Sequence, residues 1–324
     1  MRVLMTGASG KVGAALLPAL LRDTRFAGSQ VRVFCHNRRV EHPGVEMVMG
    51  SLADAAAVAM AMDGVSHVLH LATVKETPAE AMDVGVKGMF HLLEAFRASP
   101  AARQFLLMGG DCSVGHIFQP YPGPIAEDAP RRAYPGCYAL TKVIEEVMLE
   151  QYRIQYGIGA TCLRAPWIME KDDFRHALSF SAQFGGPAWT DFLTEAQIAR
   201  HAADEAVPLL LDREGYPLRR NFVHLDDLVS AILAALDNPH ALGELFNISM
   251  NEPVDYGDVA AYLTRTRGLP AVRIATPHFS NWLSNTKARL RLGWHPLVDW
   301  KALIDRAWAY ERAADEPRRV YYPG

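Results

Sequence analysis

The first 22 residues, "MRVLMTGASGKVGAALLPALLR", constrain the fold more than any other stretch of the chain. A short continuous apolar run leads into glycines at every third position, Gly7, Gly10 and Gly13, and then into a leucine-rich run with helical spacing. This reads as a buried strand, a tight turn and a helix. Gly7 makes the turn, Gly10 lets backbone approach a pyrophosphate, and Gly13 lets the helix lie close to the strand. Ser9, Lys11 and Val12 complete the loop. Phosphates would sit at the helix N-terminus, where free N–H groups and the helix dipole favour anions.

The same alternation continues. "QVRVFC", "VEMVMG", "SHVLHLA", "QFLLMGG" and "GATCLRA" are strand-like, and runs such as "DAAAVAMAM", "VKGMFHLLEAFR" and "CYALTKVIEEVMLEQYRIQY" are helical. Short apolar strands alternating with longer helices predict an α/β chain with a doubly wound parallel sheet. The alternation stops after Arg164 and returns at "NFVHLDDLVSAILAAL" and "ELFNIS". We therefore expect a dinucleotide-binding domain of residues 1–164 plus about 221–249. A smaller, mixed substrate-binding cap would use 165–220 plus 250–324.

Bulk properties exclude several classes. At 324 residues and 50% hydrophobic composition the chain can bury a large core. Lys+Arg number 33 against 36 Asp+Glu, with no basic run, so nucleic acid is not an expected partner. Four scattered cysteines, no leader-like N-terminus and no long apolar run predict a soluble cytoplasmic protein. The twelve histidines form no metal pattern; His67 and His70 fall on opposite faces of a strand.

Two further features bear on chemistry. The second strand ends "VFCHNRR", with Cys35, His36 and Asn37 where an acid would hold an NAD ribose. Arg38 and Arg39 follow and could pair with a 2′-phosphate, which leans the expectation towards NADP over NAD. "YALTK" sets Tyr138 and Lys142 one helical turn apart. An ammonium beside the phenol favours the phenolate, so Tyr138 could act as general acid or base on an alcohol or carbonyl oxygen.

With these residues in place, the chain resembles the extended short-chain dehydrogenase/reductase family over nearly its whole length. "TGASGKVG" is similar to the nucleotide loop. "GSLAD" (50–54, with Ser51 and Leu52) resembles the adenine-side segment, and "HLAT" (with Leu71, Ala72 and Thr73) the exit of strand four. "LRAPWI" (163–168, with Ala165) resembles the LRxxxV exit. "NFVHLDDL", "LFNIS" and "KARLRLGWHP" resemble later family segments. The resemblance implies a Rossmann domain, a C-terminal substrate domain, NAD(P), a Tyr/Lys active site and a homodimer built on helices.

The chain also departs from that pattern. "GGDCSVG" (109–115) stands where the family has SSxxVYG, so Gly109 and Gly110 replace the hydroxyl residues. Asp111 occupies the first acid position of the dehydratase branch, and Cys112 replaces the second. Three readings stay open: Asp111 as acid, base or substrate ligand; Ser113 as the missing hydroxyl; or glycines that make room for substrate. Gly85 replaces the usual Asn of NVxG, and Ser51 an acid. Lys75, Trp167, Glu170, Lys171, Asp173, Arg175 and His176 are candidates for substrate contact, with Arg175 and Arg200 suited to an anion. His224 reads as structural, and "FGGPAW" (184–189) as a loop over the site or a turn.

These features predict an NAD(P)-dependent oxidoreductase acting on a hydroxyl or carbonyl of a small sugar or sugar-acid-like molecule. The alternatives are an NAD-retaining epimerase or dehydratase that uses Asp111, and a non-enzymatic nucleotide sensor.

Overall fold

The computed structural model of the chain describes residues 1–180 and 188–316. Six strands follow one another as β1 (Arg2–Thr6), β2 (Gln30–Cys35), β3 (Val45–Met49), β4 (His67–His70), β5 (Gln104–Gly110) and β6 (Ala160–Ala165). With a seventh strand, Glu244–Asn247, they form one sheet in the order Glu244–Asn247, β6, β5, β4, β1, β2, β3. Every pairing is parallel. The order reverses between β1 and β4, and a crevice opens there beyond the carboxyl ends of the strands.

Helices cover both faces, which is why the central strands read as unbroken apolar runs; every residue of β5 and β6 is buried. On one face Leu16, Leu17 and Leu20 of the Lys11–Arg22 helix meet Leu228 and Ile232 of the Leu225–Ala235 helix. On the other, Leu92, Leu93 and Phe96 of the Lys87–Ala98 helix pack with Phe105 and with Leu149 of the Cys137–Tyr156 helix. Asp54 caps the Ala55–Ala61 helix by accepting from the backbone N–H of Ala56 and Ala57. One element was not expected: Ala81–Val86 forms a π-helical turn, with Gly85 inside it, ahead of the Lys87–Ala98 helix.

A separate cluster, including Met169, Phe174, Phe222, Tyr256 and Ile304, lies in the segments after β6. There Trp167–Met169 pairs with Phe222–His224, Arg219–Arg220 with Val254–Asp255, and Val207–Leu211 with Ala271–Ala275. Three strand pairs from distant parts of the chain explain why no local periodicity marked this region. The Asp173–Ala177 and Trp300–Ala309 helices pack against the same cluster. No described helix is long and apolar enough to cross a membrane.

Candidate active site

A cleft of about 600 Å³ runs along the crevice from Arg38 and Ser51, past the glycine turn, to Tyr138 and Trp167. The turn fits the close approach of a dinucleotide. Gly7 has φ +71°, and a side chain there would start 2.6 Å from the backbone nitrogen of Ala72. At Gly13 it would start 2.3 Å from the carbonyl oxygen of Gly7. Gly10 is the N-cap of the Lys11–Arg22 helix and supplies no side-chain cap, so that end suits an anion.

Ser9, Gly10, Lys11, Val12 and Gly13 all border the cleft, as do Ser51, Leu52, Leu71, Ala72, Thr73 and Ala165. Lys11 is also tied across to the segment beyond β6: its ammonium lies 2.6 Å from Asp173 and 3.3 Å from the carbonyl oxygen of Ile168. His36 and Arg38 line the far end beside Phe34. Arg39 does not; it turns outward to Glu41 at 3.4 Å.

At the other end the Cys137–Tyr156 helix presents Tyr138 and Lys142. A loop glutamate anchors its start, Glu76 accepting from the backbone N–H of Cys137 at 2.8 Å. The Lys142 ammonium donates to the Met108 carbonyl at 3.0 Å and to Glu145 at 2.8 Å. The second Glu145 oxygen is buried without a hydrogen-bond partner, about 3.9 Å from where a Gly85 side chain would begin. Lys75 places its ammonium 3.7 Å from the centroid of the Tyr138 ring. Burial brings the Lys75 pKa down to about 8.

The expected lowering of the Tyr138 pKa by Lys142 is not seen. Burial pushes Tyr138 well up, with Cys112, Tyr134, Glu145 and Asp111 adding to it. The Lys142 charge is answered by Glu145, an acid one turn further along the same helix.

The exit of β5 places the residues on which the three readings of "GGDCSVG" turn. A side chain at Gly110 would begin 3.7 Å from the Tyr138 hydroxyl, and the Cys112 sulfur already crowds that space at 2.9 Å. One at Gly109 would meet the Cys162 sulfur at 2.9 Å, on the buried side. Ser113 is not brought to the cleft. It is fully buried in the Asp111–Val114 turn and donates to the Gly110 carbonyl at 2.9 Å and to Glu146 at 2.6 Å. Asp111 does line the cleft, with one oxygen 2.6 Å from Nδ1 of His116. Nε2 of His116 in turn accepts from Arg220 at 3.0 Å, and the Arg220 guanidinium lies 4.1 Å from the centroid of the Trp167 ring.

Of the other substrate candidates, Lys75 and Trp167 border the cleft. Glu170, Lys171 and Asp173 instead line a separate cavity of about 290 Å³ with Arg312 and Glu316. Arg175 turns to Asp172 at 3.6 Å, and the exposed Arg200 to Asp204 at 3.7 Å. His176 does not border the cleft. These polar side chains follow a strand that turns the chain away from the sheet, so position in sequence was a poor guide.

His224 caps the Leu225–Ala235 helix by accepting from the Asp226 N–H. Buried His67 and His70 bond to Asp237 and Thr6. No described residues form a cluster that could hold a metal. Of "FGGPAW", positions 184–187 lie outside the described residues.

Sequence reasoning missed His116, Tyr134, Glu145 and Arg220. The doubled acid "EE" after Lys142 was a signal for Glu145. His116 and Arg220 depend on a contact 104 residues apart and had no local mark.

Comparison with known proteins gives concordant results. The model of the NAD dependent epimerase/dehydratase family matches residues 3–249. A protein named as an uncharacterized UDP-glucose epimerase of Bacillus subtilis is 23% identical, covering 96% of this chain and 98% of that protein. An L-arabinose 1-dehydrogenase (NAD(P)(+)) of Haloferax volcanii is 27% identical over 55% of this chain and 71% of its own length. Among solved structures, a short-chain dehydrogenase/reductase superfamily protein of Agrobacterium tumefaciens with bound NAD is 27% identical, with a TM-score of 0.77. That alignment covers 95% of this chain and 96% of the other. A UDP-glucose 4-epimerase of Thermotoga maritima, 19% identical with a TM-score of 0.70 over 95% and 97% of the two chains, shares the fold.

Proposed function

The chain belongs to the NAD dependent epimerase/dehydratase family, and we propose that it is an NAD(P)-dependent oxidoreductase interconverting a hydroxyl and a carbonyl on a small polar, sugar-like substrate. It is an enzyme of the extended short-chain dehydrogenase/reductase type, as its relatives are. One observation carries the reading: a single cleft has the glycine turn along its wall and the Tyr138–Lys142 pair at its end.

A nicotinamide dinucleotide, when bound, supplies the acceptor or donor of hydride. In the oxidation direction the carbon–hydrogen bond gives up its electron pair with the hydrogen, the hydroxyl proton passes to Tyr138, and the carbonyl forms. Lys75, whose ammonium lies against the Tyr138 ring, is the positive charge placed to favour the phenolate that takes this proton, since Lys142 is paired with Glu145. Lys142 is also the candidate to hold the nicotinamide ribose, and the glycine turn the pyrophosphate. Arg38 is the residue suited to a 2′-phosphate, and Arg39, turned to Glu41, is not.

The test is Tyr138→Phe. Turnover should fall by about 10²-fold or more while nucleotide still binds. A variant with the full rate would remove Tyr138 from the mechanism, and loss of binding alone would make it a binding residue.

A second reading is supported by Asp111, whose carboxylate borders the cleft: an epimerase or dehydratase that keeps NAD and regenerates it internally. It would show nucleotide that co-purifies and no net formation of reduced nicotinamide. The nucleotide-sensor reading would leave Tyr138→Phe without effect.

A further inference from the structure

We propose that the substrate is an uncharged polyhydroxy compound, an aldose or polyol without a nucleotide diphosphate, selected by Asp111 acting as a fixed hydrogen-bond acceptor. This rests on the reading above that the reaction takes place at the Tyr138 end of the cleft.

The argument begins with Arg220. A guanidinium only donates hydrogen bonds, so Nε2 of His116, 3.0 Å from Nε of Arg220, must carry a lone pair. The ring proton is then on Nδ1, which donates to one oxygen of Asp111 at 2.6 Å. Burial holds the imidazole neutral. Asp111 is thereby fixed in orientation by a chain of three side chains, and its other oxygen is left for the cleft. Such an oxygen accepts from a substrate hydroxyl and repels a carboxylate or phosphate.

The positive charges near this end are engaged elsewhere, except that of Lys75, which borders the cleft against the Tyr138 ring. Arg220 is buried between His116 and Trp167. Lys142 is paired with Glu145, and Lys11 with Asp173. Arg38 is at the opposite end. Among the described residues, no arginine borders the cleft at the Tyr138 end, so nothing there offers the bidentate fork that suits a diphosphate or carboxylate.

The experiment uses the full chain with NAD or NADP and three probes: arabinose, galacturonate and UDP-galactose. Formation of reduced nicotinamide is followed with the wild type. Binding is followed by calorimetry with Tyr138→Phe. Arabinose should be preferred over both anionic probes by about tenfold or more in kcat/KM and in affinity. Asp111→Asn keeps an oxygen for His116 and turns an N–H donor to the cleft. It should raise KM for arabinose about tenfold and narrow or reverse the preference, while nucleotide affinity stays unchanged.

Preference for galacturonate or UDP-galactose, or a preference that Asp111→Asn leaves intact, would overturn the proposal even if hydride transfer is observed. Binding of arabinose that depends on Asp111 without any nicotinamide reduction would support it and instead overturn the oxidoreductase reading. Binding of none of the three would overturn it as well.

Discussion

Burial, with Cys112, Tyr134, Glu145 and Asp111 adding to it, holds the Tyr138 hydroxyl well above its ordinary pKa, so its reactivity depends on the balance of charges around it. Glu145 sits on the wrong side of that balance. Its carboxylate pairs with Lys142 and opposes the phenolate. Glu145→Gln removes the opposing charge and keeps an acceptor for Lys142, so the phenolate becomes easier to form. The pH at which alcohol oxidation reaches half its maximum should move down by about one unit; a profile that stays in place or moves up would show that Glu145 carries no charge felt at Tyr138. At this scale the Tyr138–Lys142 spacing was legible because a helix puts i and i+4 on one face. Asp111 was legible as a candidate, whereas Ser113 lies buried against Glu146 within the same tight turn after β5. His116 and Arg220 were not legible, since only the folded chain brings them together.

The element that ties the site to the sheet is the Cys137–Tyr156 helix, through Glu146. This carboxylate receives Nε and a terminal nitrogen of Arg164 at 3.1 and 2.8 Å, and the Ser113 hydroxyl at 2.6 Å. It thus joins the helix to β6 and to the turn that presents Asp111. Arg164 is 1% exposed, and Glu146→Ala would leave its charge with Asn247 at 3.4 Å as the remaining hydrogen-bond partner in the core. We expect a loss of about 3–5 kcal/mol in unfolding free energy, read by urea denaturation. A loss below about 1 kcal/mol would mean that water reaches Arg164. The strands and helices of the parallel sheet could be read from the sequence because burial on two faces leaves continuous apolar runs. The π-turn at Ala81–Val86 and the three two-stranded pairs could not, because their hydrogen bonds are set by packing and by distant partners.

For the whole molecule, the Cys137–Tyr156 helix leaves Leu140, Val147 and Ile154 exposed at 48%, 38% and 60%. Seven-residue spacing puts them in one stripe, and Phe90 of the neighbouring Lys87–Ala98 helix is 46% exposed. We propose that a second copy of the chain covers this stripe by two-fold symmetry. Light scattering should then give twice the 35.8 kDa chain mass, and Val147→Glu with Ile154→Glu should give a folded monomer; a monomeric wild type would contradict this. The central claim, a nicotinamide dinucleotide site that turns its cofactor over, is tested most directly by titrating the purified protein with NAD, NADH, NADP and NADPH in turn, beside Gly13→Val as a control. The account predicts exchangeable binding of at least one of the four, with a preference for NADPH if Arg38 meets a 2′-phosphate, and its loss in the control, where a side chain would strike the Gly7 carbonyl. NAD that co-purifies and does not exchange would move the protein to the cofactor-retaining reading, and binding of none of the four would contradict the account.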